Sequence, residues 1–333
     1  PRIITLLTCI SLASGIPAAA ETYYLDADGG RDGFTGTSPE QAWATLEWAS
    51  NQGFQPGDRI RLQAGDTFPG TLRFDGTSGV EGAPIQVDAY GSGDPPLIDA
   101  SGYIAGVHIR NAAHIEIRNL EVVGDGGAMV DGSPEGERFG VLVDSTGTEM
   151  FQDIVLEDLV LHDIYPNIGS DHEGRNPTTH LGYGVALRGT QASPSFDIRV
   201  EGCRIERTGF KAIEMKNLGG GEILGNQMKD IGGPAIQSSR VTDLVVRGNV
   251  VDGSGSYVDT RMHGRGSGIW PWTSRGVLIE KNTFMGARGK ADSCGIHIDF
   301  NCRDVIVQYN LSIDNEGGFV EILGNCHNSA YRY

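Results

Sequence analysis

Basic residues are scarce in this chain. Lysine and arginine number 26 against 43 aspartates and glutamates, a formal net charge of −17. Nucleic acids and anionic membranes reward the opposite balance, so neither is expected as a partner, although a local basic groove stays open. Cysteine is sparse too, with 5 in 333 residues, and no cysteine–histidine arrangement has zinc-ligand spacing. Long apolar runs are missing except at the start, where Arg2 precedes Ile3, Ile4, Leu6 and Leu7 and the stretch ends on Ala18, Ala19 and Ala20. Ser11, Ser14, Gly15 and Pro17 interrupt it before the length a bilayer requires. Residues 1–20 therefore read as a secretory signal peptide cleaved near Ala20, and the mature protein is expected to be exported and soluble.

Glycine is abundant instead. Its 49 residues are about twice the usual share and lack a collagen period, which suits a chain that turns sharply many times. A short phrase recurs with them: an apolar–X–apolar strand, then a second apolar run ending in Asn or Tyr. Its clearest copies start at Ala212, Ala235, Gly268, Gly295 and Phe319, and the first three lead to Asn226, Asn249 and Asn282. From Ile296 to Val320 the step is 24 residues, and the same step carries Cys302 onto Cys326 and Tyr309 onto Tyr333. Looser copies at Gly106, Gly140 and Gly184 are separated by 34 and 44 residues, so loops are inserted between strands.

A period in the low twenties built from short β-type runs is the signature of a solenoid. The expected fold is all-β: a right-handed parallel β-helix over 106–333, preceded by a capping segment with first coils over 21–105. Tyr23–Asp26 reads as a strand, and Ala42, Trp43, Leu46 and Ala49 give Pro39–Ala49 the spacing of an amphipathic helix that covers the first coil. The final phrase has no polar cap, which predicts further coils beyond Tyr333. Cys302 and Cys326 fall at one place in successive coils, where either a disulfide or a ladder of free thiols fits.

The run Tyr23-Tyr24-Leu25-Asp26 with Asp28-Gly29-Gly30, then Gly36-Thr37-Ser38-Pro39 and Ala42-Trp43-Ala44-Thr45-Leu46, resembles the opening of secreted β-helix proteins of the pectin-lyase-like superfamily. Pro56-Gly57-Asp58, Ala64-Gly65-Asp66-Thr67-Phe68 and Pro84-Ile85 add to the likeness. The resemblance implies the fold and a polysaccharide partner. It does not choose a reaction, because that superfamily holds lyases, hydrolases, epimerases, esterases and adhesins.

Neighbouring side chains of a strand point to opposite faces, so two outward columns follow from the phrase. One runs His108, Leu142, Ala186, Glu214, Gln237, Trp270, His297, Glu321; the other runs Arg110, Asp144, Arg188, Lys216, Ser239, Trp272, Asp299, Leu323. From Glu214 onward they collect carboxylates, a lysine, a histidine and two tryptophans. The candidate catalytic residues are Asp299, Glu321, Glu214 and His297. Trp270, Trp272, Lys216, Arg188 and Arg240 are candidates for holding a sugar chain. Bland alternatives stand beside these: a Glu214–Lys216 ion pair, Asp299 capping a turn, and the tryptophans covering an apolar patch under the loop 253–267.

Paired carboxylates with an aromatic platform favour hydrolysis of a polysaccharide. Elimination or C5-epimerisation on a uronic-acid polymer is the alternative, with Lys216, Arg188, Arg240 or His297 as base or neutralising cation. No cofactor is certain; Ca²⁺ would fall to Asp144, Glu214 and Asp299. A third reading is a non-catalytic sugar-binding or adhesin helix, and a monomer is expected in every case. The loops carrying Asp171, His172, Glu173, Arg175 and His180, and Tyr257, Asp259, Arg261, His263 and Arg265, are candidate walls of the groove.

Overall fold

The computed structural model describes residues 19–130, 136–167, 181–289 and 292–333. Residues 1–18 of the expected signal peptide, and the loop residues Asp171, His172, Glu173, Arg175 and His180, lie outside the described residues. Alternating apolar and polar residues make short strands, and left-handed corners bend the chain between them. Asn111, Asn217, Thr273 and Asn301 occupy such corners with φ of 50°, 54°, 49° and 63°. Asparagine tolerates this region better than most residues, which accounts for the Asn-rich punctuation of the repeat.

Each full coil carries three strands, and like strands of successive coils pair in parallel. The front sheet stacks Leu72–Asp75, Ala105–Arg110, Arg138–Asp144, Gly182–Arg188, Lys211–Leu218, the first half of Ile236–Arg247, Ile269–Trp272, Ile296–Ile298 and Val320–Ile322. A second sheet runs from Thr22–Leu25 to Ala330–Arg332, and a third of nine strands runs from Thr67–Pro69 to Leu311–Ile313. Inward residues such as Val107, Ile109, Val185, Leu187, Ile213, Met215, Ile269 and Ile296 are wholly buried and form one continuous core. The small residue that opens each front strand has a packing reason. A Cβ at Gly184 would lie 2.5 Å from Ile205 Cγ2 and 2.7 Å from the Ala212 carbonyl oxygen.

The cap differs from the expected helix over Pro39–Ala49. The structure has a single 3₁₀ turn at Pro39–Gln41 and a short α-helix at Leu46–Ser50. Between them Trp43 is extended: its N–H donates to the Tyr24 carbonyl and its own carbonyl accepts from Asp26 N–H, both at 2.9 Å. Asp32 accepts from the N–H groups of Ala44 and Thr45, and Thr45 caps the helix by accepting from Trp48 N–H at 3.1 Å. A strand contact followed by one helical turn thus mimics helical spacing. Trp43, Leu46, Ala49 and Phe54 still bury themselves on the core.

All four cysteines among the described residues are free. Cys302 Sγ lies 3.4 Å from the Pro271 carbonyl oxygen and Cys326 Sγ 3.0 Å from that of Asp299, so the stacked-thiol arrangement holds and the bridge does not. The repeat's asparagines form a second ladder. The side-chain NH₂ of Asn226 donates to Asn249 Oδ1 at 2.9 Å, that of Asn249 to Asn282 Oδ1 at 2.9 Å, and that of Asn282 to Asn310 Oδ1 at 3.0 Å. Each backbone N–H of the first three donates to the same next oxygen. Asn249→Ala would strip the buried donors of Asn226 of their acceptor, a loss of about 2–4 kcal/mol. Its melting temperature should fall well below that of Asn310→Ala, where the ladder is only half-buried; equal melting of the two variants would contradict this account.

Candidate functional site

Strand pairing builds both outward columns residue for residue. Leu142 pairs with His108 and Ala186, Ala186 with Glu214, Glu214 with Gln237, Gln237 with Trp270, and His297 with Glu321. Asp144, Arg188, Lys216, Ser239 and Trp272 follow in the second column. Asp299 continues it through its N–H, which donates to the Pro271 carbonyl at 2.9 Å. Trp270, His297 and Glu321 therefore share one side of the molecule. They are unequally open: His297 is fully buried, Trp270 partly exposed, and the Glu321 side chain 34% exposed.

A cleft of about 450 Å³ opens over these coils, lined by Phe210, Pro234, Gln237, Ser239, His263, Arg265, Trp270, Trp272 and Asp299. Asp299 is held at two points: Oδ2 accepts from the Trp270 indole N–H at 2.5 Å and Oδ1 from the Phe300 backbone N–H at 2.7 Å. Trp270 stacks on His297 with ring centroids 4.5 Å apart and planes 17° from parallel, so one face of that indole is already covered. Trp272 receives the Arg240 guanidinium at 5.5 Å, while Arg240 Nε donates to Asn217 Oδ1 at 2.8 Å. Arg240 is therefore a support for Trp272 rather than a free sugar contact.

Around His297 a further carboxylate converges that the sequence reading missed. Asp292, His297 and Glu321 each offer a ligand-type atom within 4.8 Å of the others, and Asp292 pairs with Arg265 of the cleft wall. Burial pushes the His297 imidazole below its ordinary value, with the charges of Glu321 and Asp299 opposing. Cys294 Sγ lies 3.6 Å from Glu321 Oε2, and burial, reinforced by Glu321, pushes that thiol up to about 11. The step from Ile296 to Val320 announced the His297–Glu321 pair; Asp292 sits outside any strand phrase and gave no such signal.

Toward the N-terminal coils the cleft meets a wall. Glu214 is wholly buried and accepts from Lys211 Nζ at 2.5 Å and Arg188 Nε at 2.7 Å, with Lys216 Nζ at 3.1 Å. Arg188 also clamps Glu137 through two bonds of 2.7 and 3.0 Å and lies within 5.0 Å of the ring centroids of Phe139 and Tyr183. Lys211 reaches over Phe210 at 4.6 Å.

The segment 183–331 matches the family model described as a right-handed β-helix region. The chain is a right-handed parallel β-helix. Among solved structures, the GH136 lacto-N-biosidase from Eubacterium ramulus superposes with a TM-score of 0.79 at 23% identity, over 94% of this chain and 59% of that one. An alginate lyase from Paenibacillus sp. str. FPU-7 gives 0.52 at 16% identity, over 85% and 97% of the two chains. A rhamnogalacturonan lyase gives 0.57 at 12% identity, over 93% and 87%. The β-helix described here thus spans 59% of the length of that biosidase, and at these identities the likeness is one of fold. The sequence matches none of the curated proteins.

Two expectations for the β-helix are corrected. Glu214 is not a free catalytic acid, nor are Arg188 and Lys216 free cations, because each is paired in the wall. Burial would raise the Glu214 carboxyl, but Lys211, Arg188 and Lys216 outweigh it and hold it down at about 2. Nor do Asp144, Glu214 and Asp299 fit one Ca²⁺ ion. Asp144 and Asp299 stand five coils apart in one column, about 24 Å at about 4.8 Å per coil, and Asp144 is taken by His108 at 2.9 Å and by both ends of the Arg110 fork. The expected Glu214–Lys216 ion pair is present, as one part of a larger cage.

Removing the charge of Glu214 leaves buried cations uncompensated. Glu214→Gln should cost about 3–5 kcal/mol at pH 7, read by denaturant unfolding. Because the folded carboxyl lies below its usual 4.5, the stabilisation is complete above that pH and lost as pH falls toward about 2. The gap between wild type and variant should therefore shrink in acid; a constant gap would refute the cage.

Proposed function

We propose that this β-helix is part of an exported carbohydrate-active enzyme that hydrolyses a glycosidic bond in the cleft over Trp272 and Asp299. The observation that carries the proposal is the double hydrogen bonding of Asp299 in an aromatic cleft, with two further carboxyl groups, Asp292 and Glu321, gathered around His297. Glycoside cleavage needs one carboxyl as proton donor and a second as nucleophile or base. Asp299 supplies one, and Asp292 or Glu321 the other. Trp272 and Phe210 offer apolar surface for a sugar ring, and a volume of about 450 Å³ suits a short glycan unit. The solved relatives act on carbohydrates by their names, which supports the substrate class.

A second reading is elimination on a uronic-acid glycan. It is favoured by Arg265 and His263 in the cleft wall, since a cation there would neutralise the substrate carboxylate while a base removes the neighbouring proton. Screening neutral and acidic glycans for both new reducing ends and ultraviolet absorbance separates the two: hydrolysis gives reducing ends alone, elimination adds the absorbing double bond. A purely sugar-binding helix gives neither.

On a substrate so found, Asp299→Asn should lower turnover by about 10²–10⁴-fold with an unchanged melting profile. Trp272→Ala should act mainly on KM. Turnover by Asp299→Asn within a few-fold of wild type would remove this residue from the mechanism.

A further inference from the structure

The stack of His297 beneath Trp270 has a consequence outside sugar chemistry. His297 has no exposed surface, and neither ring nitrogen has a hydrogen-bond partner among the described residues. A buried imidazole left in this state is costly unless something else meets its lone pair. Glu321 Oε2 lies 3.8 Å from Nδ1, beyond hydrogen-bond reach. Asp292 closes the group from the side of the cleft wall, and the three ligand atoms lie within 4.8 Å of one another.

We propose that Asp292, His297 and Glu321 form a binding site for one divalent transition-metal ion of the zinc class. Ligand atoms about 2.1 Å from a tetrahedral ion sit about 3.4 Å from each other. The His297–Glu321 separation of 3.8 Å is close to that value, and rotation of the carboxyl groups closes the remainder. One imidazole nitrogen with two carboxylates selects zinc, cobalt or manganese over calcium, which takes six to eight oxygens. Cys294 Sγ lies 3.6 Å from Glu321 Oε2 and borders the group without joining it. Arg265 is the competing cation on Asp292, and the ion must displace or share that contact.

The site rests on distances and burial alone. Its consequence for catalysis rests on the glycan reading: an ion there takes Asp292 and Glu321 as ligands and removes them as partners of Asp299, so turnover falls as the site fills. The test uses the whole chain freed of metal by chelator dialysis. Titration with Zn²⁺ by calorimetry should saturate at one equivalent, and Co²⁺ should develop visible absorption bands with the same stoichiometry. His297→Gln and Asp292→Asn should each weaken Zn²⁺ binding by about 10-fold or more. Absence of saturable binding of either ion to the wild-type chain overturns the proposal without needing any variant, as does binding that both substitutions leave unchanged. Stoichiometric binding with no loss of turnover on a proven substrate upholds the site and counts instead against Asp292 and Glu321 as catalytic partners.

Discussion

Parallel pairing in exact register is the constraint from which the rest of this molecule follows. One residue of slip in any front strand would turn its Val and Ile side chains outward and its polar partners into the core. The buried column prevents that slip. So do the corner asparagines, which offer each next coil one acceptor for a backbone N–H and a side-chain NH₂ together. With register fixed, residues 23 to 44 positions apart in sequence become neighbours about 4.8 Å apart, and a functional surface can be assembled one side chain per coil.

That assembly gives like residues opposite fates according to what covers them. Glu214 and Asp299 both stand on the outward face, in adjacent columns and three coils apart. Over Glu214 the chain lays Phe139, Tyr183 and Phe210, and within that apolar cover a carboxylate persists only by gathering cations. Lys211 and Arg188 answer that demand, so an outward position has become interior. Over Asp299 the cover is incomplete. Its partners are one indole N–H and one backbone N–H, which orient the group without neutralising it, and the cleft stays open above.

The sequence disclosed the part of this that periodicity encodes. The parallel-stacked coil, the two columns and the pairing of His297 with Glu321 follow from a recurring strand phrase, since aligned copies of one phrase put like positions side by side. Burial of the outward face was not legible. It depends on side chains that the loops and strand starts lay over the sheet: Tyr183 and Phe210 mark nothing in the repeat, yet they decide that Glu214 and Arg188 are structural. Asp292 was hidden for the same reason, being carried by a connection between coils. The helix over Pro39–Ala49 failed differently. Its apolar spacing is real, but Trp43 satisfies its backbone on the Tyr23–Asp26 strand, and tertiary pairing overrides a local period.

The order along the stack then keeps the charged wall and the cleft apart. The wall of Glu137, Arg188, Lys211 and Glu214 needs tight cover, because partly satisfied buried charges are worse than none. A cleft needs the reverse, open space above oriented groups. The two cannot share a coil, and the coil of Gln237 and Ser239 stands between them with neutral outward side chains at those positions. This spacer keeps the cations of the wall from drawing Asp299 into the same cage, about three coils or 14 Å away. It leaves Asp299 as a carboxylate whose bonded partners are hydrogen-bond donors without charge, with the cleft open beside it.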